Sequence, residues 1–439
     1  MTTLVLGRWL LYAADAEPVP GWGVAVDGSR ISTIGSHSTL RAQFPDAEVV
    51  DATDCVIMPG FVNAHHHMYG VLSHGIPLDQ APQDFWAFLE GFWWPRVEVA
   101  LDHASIRAAV ELACLEMVRS GVTTFFDCLE APLALPGCLE AEAEVVRRWG
   151  LRGVLSFEAT QRVSLENGEL GLRENASFIE ACRHRADLVS GMMCYHTTFT
   201  CAADFIRRAF ELAESSGSPV HFHCAEGRYE PDYCLRHFGM RTVEYYDRLG
   251  VLSPSAFASQ CVQLTPHEVD LLAQRGVRVS HMPLSNCEVG GGIAPVPAML
   301  AAGLPVSLGT DGYVNNYFAL LRGAFLIHKA HLEDPQTMPA RTVWQMATLH
   351  GAEVLGMAEE IGRLEPGYSA DLVLIEADLP TPLSAGNLLD QLLLWRDPVN
   401  VQSVMCAGRW LMRNKEIIGV DETRVRALCR EAAARLWGR

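Results

Sequence analysis

The chain has 439 residues, 49% hydrophobic, 20% charged and 8% aromatic, with 36 Gly and 23 Pro dispersed along it, a composition that excludes disorder, collagen-like repeats and coiled coil. Acidic residues outnumber basic ones 52 to 34, a formal charge of −18 with no basic block, so neither nucleic acid nor an anionic membrane is an expected partner. No apolar run approaches the ~18 residues of a membrane span, and the N-terminal apolar stretch is interrupted by Arg8 without a basic leader or cleavage site, so a cytoplasmic protein is expected.

Residues 1–55 hold short alternating strands, over 2–6, 23–26 and 30–34, separated by Gly and Pro turns. From residue 56 a different unit repeats: a short β-rich apolar run ending in polar residues, then a stretch with helical apolar spacing. The strands fall at 56–67, 123–128, 152–159, 188–196, 219–226, 258–264, 278–283 and 305–311. Helices are predicted over 102–120, 138–149, 174–185, 202–216, 242–249, 266–274 and 296–302, and in a long segment after 317. Eight βα units argue for a TIM-type (β/α)8 barrel over 56–365. Residues 366–420 return to short strands, at 371–376, 401–406 and 409–412, and the tetrapeptide Gly-Arg-Trp-Leu at 7–10 recurs at 408–411. The segments 1–55 and 366–420 are therefore expected to combine into one small β-sandwich-like domain, with a C-terminal helix over 421–439. A further apolar, helix-like stretch at 388–395 packs on that domain or forms an interface.

The chemistry-bearing residues cluster at strand ends, where barrel active sites gather. The first strand ends in His65-His66-His67, and β alternation turns His65 and His67 to one side as a ligand pair. The fifth carries His221-Phe-His223-Cys-Ala-Glu226: His223 is a third imidazole and Glu226 an acid at the mouth, while His221, deeper along the strand, reads as a core histidine. The eighth ends Gly-Thr-Asp311-Gly, placing a carboxylate where a ligand and proton acceptor would complete the set. Three imidazoles and one carboxylate suit one divalent ion, Zn²⁺ first and Fe²⁺ second, with a position open to an activated water. The only lysines are Lys329 and Lys415, which excludes a lysine bridge between two metals and a Schiff base at a strand end. The thirteen cysteines contain no CxxC pair and read as small buried hydrophobes.

PGFVNAHHH, HFHCAE, SHMPLSN and LGTDG together resemble the amidohydrolase superfamily, in its cytosine deaminase and triazine chlorohydrolase branch, over essentially the whole chain. The stretches HMYGVLSHGI and HCAEGRYEPDYCLRHFGMRTVE, with Pro-Thr-Pro-Leu near 381, are most similar to SsnA-type aminohydrolases. The resemblance implies His65, His67, His223 and Asp311 as metal ligands, Glu226 as proton shuttle, His196 as a substrate-side residue and a homo-oligomeric assembly. One position departs from it. The sixth strand reads Ala-Ser-Gln260-Cys-Val-Gln263-Leu where the family has Ala-His-Cys-Val-His-Leu. A glutamine amide donates and accepts hydrogen bonds but takes up no proton near neutral pH. His281, in Ser-His-Met-Pro, is the candidate for a compensating catalytic imidazole.

The long connection over 68–101 holds Tyr69, Phe85, Trp86, Phe88, Phe92, Trp93 and Trp94. With Tyr69 and Trp94 as binding candidates it forms an aromatic wall for a flat heterocycle; alternatively, Phe85, Phe88, Leu89 and Phe92 are the apolar stripe of a helix packed on the barrel. Tyr313, Asn315 and Asn316 are candidates for reading polar ring edges. The expected function is a metal-dependent aminohydrolase acting on an aminated N-heterocycle. The alternatives are a catalytically impaired metal- and ligand-binding homologue, marked by Gln260, and a chlorohydrolase or other hydrolase that releases no ammonia.

Overall fold

Gly60 divides the strand predicted over 56–67. The computed structural model describes residues 2–312 and 314–438, and in it Glu48–Pro59 and Phe61–His66 lie in different sheets. A Cβ at residue 60 would sit 2.2 Å from Thr123 Oγ1, so the chain crosses between the sheets at a point with no room for a side chain.

Beyond Gly60, nine parallel strands form two sheets. One orders Phe61–His66, Val122–Leu129, Arg152–Phe157 and Val189–Gly191; the other orders Met193–Cys194, Val220–Cys224, Ala256–Gln260, Arg278–His281 and Val306–Leu308. The fourth predicted strand is thus two short ones, broken at Met192, whose N–H bonds to Leu155 O at 3.1 Å. The two sheets meet through single parallel bridges, Ala159 with Tyr195 and His66 with Asp311. In place of one continuous closed ladder there are two sheets with one-residue seams. At the second seam Asp311 has φ 59, a left-handed conformation that ends strand pairing while aiming the side chain inward. The close approach there needs Gly309, where a Cβ would lie 2.7 Å from His65 Cβ.

The strands are buried on both faces, as parallel strands covered by helices are, which is why they read as near-continuous apolar runs. Helices Cys138–Trp149 and Thr242–Leu249 keep their predicted bounds. The helix predicted over 174–185 starts earlier, at Leu165, because the Ser164 side chain caps the Asn167 N–H.

The remaining strands form a nine-stranded sheet drawn from both ends of the chain, with Glu48–Pro59 parallel to Thr2–Leu10 and antiparallel to Leu372–Glu376. Helices Leu388–Trp395 and Glu422–Trp437 follow. Arg152, on a parallel strand, reaches Asp371 beside the nine-stranded sheet at 3.4 Å, both side chains being buried, and Asp371 also accepts from Ser369 Oγ and the Ala407 N–H. Removing one partner leaves a buried charge unpaired. Asp371→Ala is accordingly expected to destabilise the protein by about 3 kcal/mol in urea unfolding; an unchanged midpoint would mean this ion pair does not join the sheets. Among the described residues, no helix is long and apolar enough to cross a membrane.

Candidate active site

The strand alternation read from the sequence brings His65, His67 and His223 together, with one ring nitrogen of each within 4.8 Å of the others and all three rings buried. His67 Nδ1 donates to Cys128 O at 2.5 Å, which leaves Nε2 as a lone-pair atom facing inward. That atom lies 3.4 Å from His223 Nε2, while the buried His65 Nε2 has no hydrogen-bond partner. Burial and the neighbouring imidazoles hold His65 and His223 well below the usual imidazole range, hence neutral. Buried imidazole nitrogens converging from the ends of two strands are the donor set of a cation such as Zn²⁺, so the residues present fit a metal.

Asp311 lies beside these imidazoles. Its Oδ1 is 3.7 Å from His67 Nε2 and accepts the Gly312 N–H at 2.6 Å. Its Oδ2 accepts from Gln260 Nε2 at 2.7 Å and Ser285 Oγ at 3.0 Å. Gln260 is therefore a hydrogen-bond donor to the carboxylate, and its buried Oε1 has no partner. Positive φ values at Ala225, Gln260, Cys261 and Asp311 fall at the same ends of their strands, the pattern of backbone held out of extended geometry to aim functional groups.

Glu226 follows Ala225 on the cavity wall. Burial, then the charges of Asp311 and Glu230, push its carboxyl well above the usual range. The turn that presents it is pinned by Glu230, which accepts the Ala225 N–H at 2.5 Å and both the N–H and hydroxyl of Thr198.

The cavity is lined by His67, His223, Glu226 and Asp311 and by Tyr69, Phe85, Phe88, Leu89, Phe92, Trp93 and Trp94. Asp84 caps Phe85–Phe88, and the chain continues through Leu89–Val97 in wide π-type turns around Pro95, which has no N–H to give a regular helix. The connection is helical, and Phe85, Phe88, Leu89 and Phe92 line the cavity. His196 and Trp94 lie on the wall with ring centroids 5.9 Å apart, and Tyr69 donates its hydroxyl to Glu98 at 3.2 Å.

Three expected residues lie elsewhere. His281 is buried against His328, their Nε2 atoms 3.3 Å apart, and does not line the cavity, so it offers no compensating imidazole there. Asn315 donates to Glu116 Oε2 at 2.7 Å and lines a separate surface crevice, as does Asn316; Tyr313 lies outside the described residues.

Sequence reasoning missed Glu158, whose Oε1 lies 3.3 Å from His196 Nε2 and 3.6 Å from His223 Nδ1. The signal was present, since Glu158 ends the third barrel strand as Glu226 ends the fifth. Glu98, Ser285 and Glu288 were missed as well, and all line the cavity. Arg162 pairs with Glu98 at 2.8 Å and with Glu130, and stacks over Trp94, so its charge is spent behind the wall.

Residues 56–411 match the amidohydrolase family. The chain belongs to this family. Family members similar to it include the 5'-deoxyadenosine deaminase of Methanothermobacter thermautotrophicus, 34% identical over 97% of each chain. The 5-methylthioadenosine/S-adenosylhomocysteine deaminase of Pelotomaculum thermopropionicum is 31% identical over 95% of this chain and 94% of its own. Among solved structures, an adenosine deaminase from Xanthomonas campestris with bound zinc superposes with a TM-score of 0.91 at 25% identity, over 100% of this chain and 99% of that one. The atrazine chlorohydrolase of Arthrobacter aurescens, complexed with zinc, gives 0.85 at 20% identity over 98% and 100%, a likeness of fold alone.

Proposed function

We propose that the protein is a zinc-dependent aminohydrolase that releases ammonia from an aminated purine, as a base or a neutral nucleoside. The carrying observation is the convergence of His65, His67 and His223 beside a cavity that Glu226 and Asp311 line together with Tyr69, Phe85, Phe88, Phe92, Trp93 and Trp94. In this reading His65, His67, His223 and Asp311 hold the zinc, which when bound supplies Lewis-acid activation of water. Asp311 accepts the water's proton as the water oxygen bonds to the reacting carbon, and Glu226 protonates the ring nitrogen beside that carbon. The proton on Asp311 passes to the amino group as its C–N bond breaks to give ammonia, and the remaining hydroxyl proton returns to Glu226. Gln260 fixes the Asp311 carboxylate by its N–H. His196, Trp94 and Tyr69 bound the ring. Residues 1–55 with 366–420 form a small β domain beside the catalytic unit at 56–365, a division supported by the nine-stranded sheet they share.

The test is ammonia release by zinc-loaded protein from adenosine, 5'-deoxyadenosine and 5'-methylthioadenosine. Turnover is expected from at least one. No ammonia with one zinc bound per chain, yet a ligand-dependent rise in Tm, would replace this reading with that of a binding homologue; Gln260 in place of the family's histidine is what keeps that second reading in view.

Among the described residues, the cavity lining holds Glu98, Glu158, Glu226, Glu288 and Asp311 but no Lys or Arg. A substrate carboxylate or phosphate would enter this cavity without a Lys or Arg partner. S-adenosylhomocysteine and adenosine monophosphate are therefore expected to show kcat/KM at least about tenfold below that of 5'-deoxyadenosine. Equal values would mean that the missing cationic partner does not select.

A further inference from the structure

Outside the cavity lining, three strands deliver donor atoms that the proposed reaction leaves unused. Cys128 lies on Val122–Leu129, Cys194 on Met193–Cys194 and His221 on Val220–Cys224, all with 0% exposure. Cys128 Sγ is 3.3 Å from Cys194 Sγ, Cys194 Sγ is 3.3 Å from His221 Nδ1, and the third edge of the triangle is 4.0 Å. Tetrahedral zinc, with Zn–S of about 2.3 Å and Zn–N of about 2.0 Å, separates its donors by roughly 3.5–3.8 Å. The triangle straddles those edges. Glu158 Oε2, 3.1 Å from Cys128 Sγ, stands beside the fourth position, and because Glu158 lines the cavity it marks the way in.

We propose that Cys128, Cys194 and His221 form a second metal site, for one thiophilic divalent ion of the Zn²⁺ and Cd²⁺ class, whose occupancy opposes metal binding at His65, His67 and His223. Binding forms two metal–sulfur bonds and one metal–nitrogen bond and releases the two thiol protons to solvent, so no oxidant or reductant is needed.

The antagonism rests on the three-histidine site described above and follows from one contact, His65 Nδ1 to His221 Nε2 at 3.2 Å. A neutral imidazole with a metal on one nitrogen keeps its hydrogen on the other. Metal at His65 Nε2 puts an N–H on Nδ1, which donates to His221 Nε2. Metal at His221 Nδ1 puts an N–H on Nε2, which donates to His65 Nδ1. With both sites filled, two N–H groups face each other and neither has an acceptor. Cys128 adds a second link, since its carbonyl orients His67.

The test uses the full chain, stripped by chelator and titrated with Cd²⁺ or Co²⁺ alone. A sulfur-to-metal charge-transfer absorption band is expected, and it should disappear in both Cys194→Ser and Cys128→Ala. In zinc-loaded protein, added Cd²⁺ should weaken zinc retention by about tenfold, with no such loss in Cys194→Ser. Absence of the band from the unsubstituted chain overturns the site, as does its persistence in Cys194→Ser. A full band with zinc retained undiminished overturns the antagonism. Should either variant fail to fold, the other and the unsubstituted chain still decide. The band does not depend on ammonia release, so a silent deaminase assay beside a clear band would count against the proposed activity alone.

Discussion

Glu226→Gln is expected to lower ammonia release by about 10²–10⁴-fold while zinc content and Tm stay close to those of the unsubstituted protein. The substitution keeps shape and removes only the exchangeable proton. Glu226 lies on the cavity wall, and its backbone is held by the Glu230 clamp on Ala225, which glutamine at 226 leaves untouched. Because burial and the Asp311 charge raise the Glu226 carboxyl, its protonated form persists toward neutral pH and is lost as pH rises through the raised value. An acid that donates to the ring therefore fails on the alkaline side, and kcat/KM should fall there. Retention of more than a tenth of the activity in Glu226→Gln, or a profile flat on the alkaline side, would remove Glu226 from the proton path.

The parts of this site that were legible from the sequence are those fixed by periodicity. Alternation alone groups His65 with His67, and the repeat of strand and helix brings His223 and Asp311 to the same end although some 90 to 250 residues of chain separate them from His65 and from one another. What periodicity leaves open is rotation and reach. His281 and Gln260 both end strands, yet Gln260 turns onto Asp311 through a left-handed backbone at φ 71 while His281 turns outward to His328. The seams between the two parallel sheets were equally hidden. They depend on where single residues such as Asp311 leave the extended region, a choice dictated by contacts with distant strands. Cys128 and Cys194 are buried as the sequence leads one to expect, but which groups a thiol meets across strands has no signature in local sequence. Glu158 was overlooked despite carrying the same strand-end signal as Glu226; no neighbouring histidine in its own strand drew attention to it.

Asp311→Asn carries the second large effect, again about 10²–10⁴-fold on ammonia release, accompanied by weaker zinc retention. This carboxylate has four partners. Oδ2 takes Gln260 Nε2 and Ser285 Oγ, and Oδ1 takes the Gly312 N–H and faces His67 Nε2. An asparagine has one oxygen and one NH₂, so one side must become a donor. With oxygen kept toward Gly312, the new NH₂ meets Gln260, whose amide can turn over because its Oε1 has no partner to lose, and Ser285, whose hydroxyl can accept. The fold is thus expected to survive with a Tm within a few degrees. The negative charge does not survive, and with it go one anionic ligand beside three imidazoles and the acceptor for the water's proton. Measuring Tm, zinc per chain and kcat/KM together separates these effects. A variant that is folded and zinc-loaded yet retains more than a tenth of the activity would show that the proton leaves by another group, and Glu158, 3.6 Å from His223, would be the next to replace.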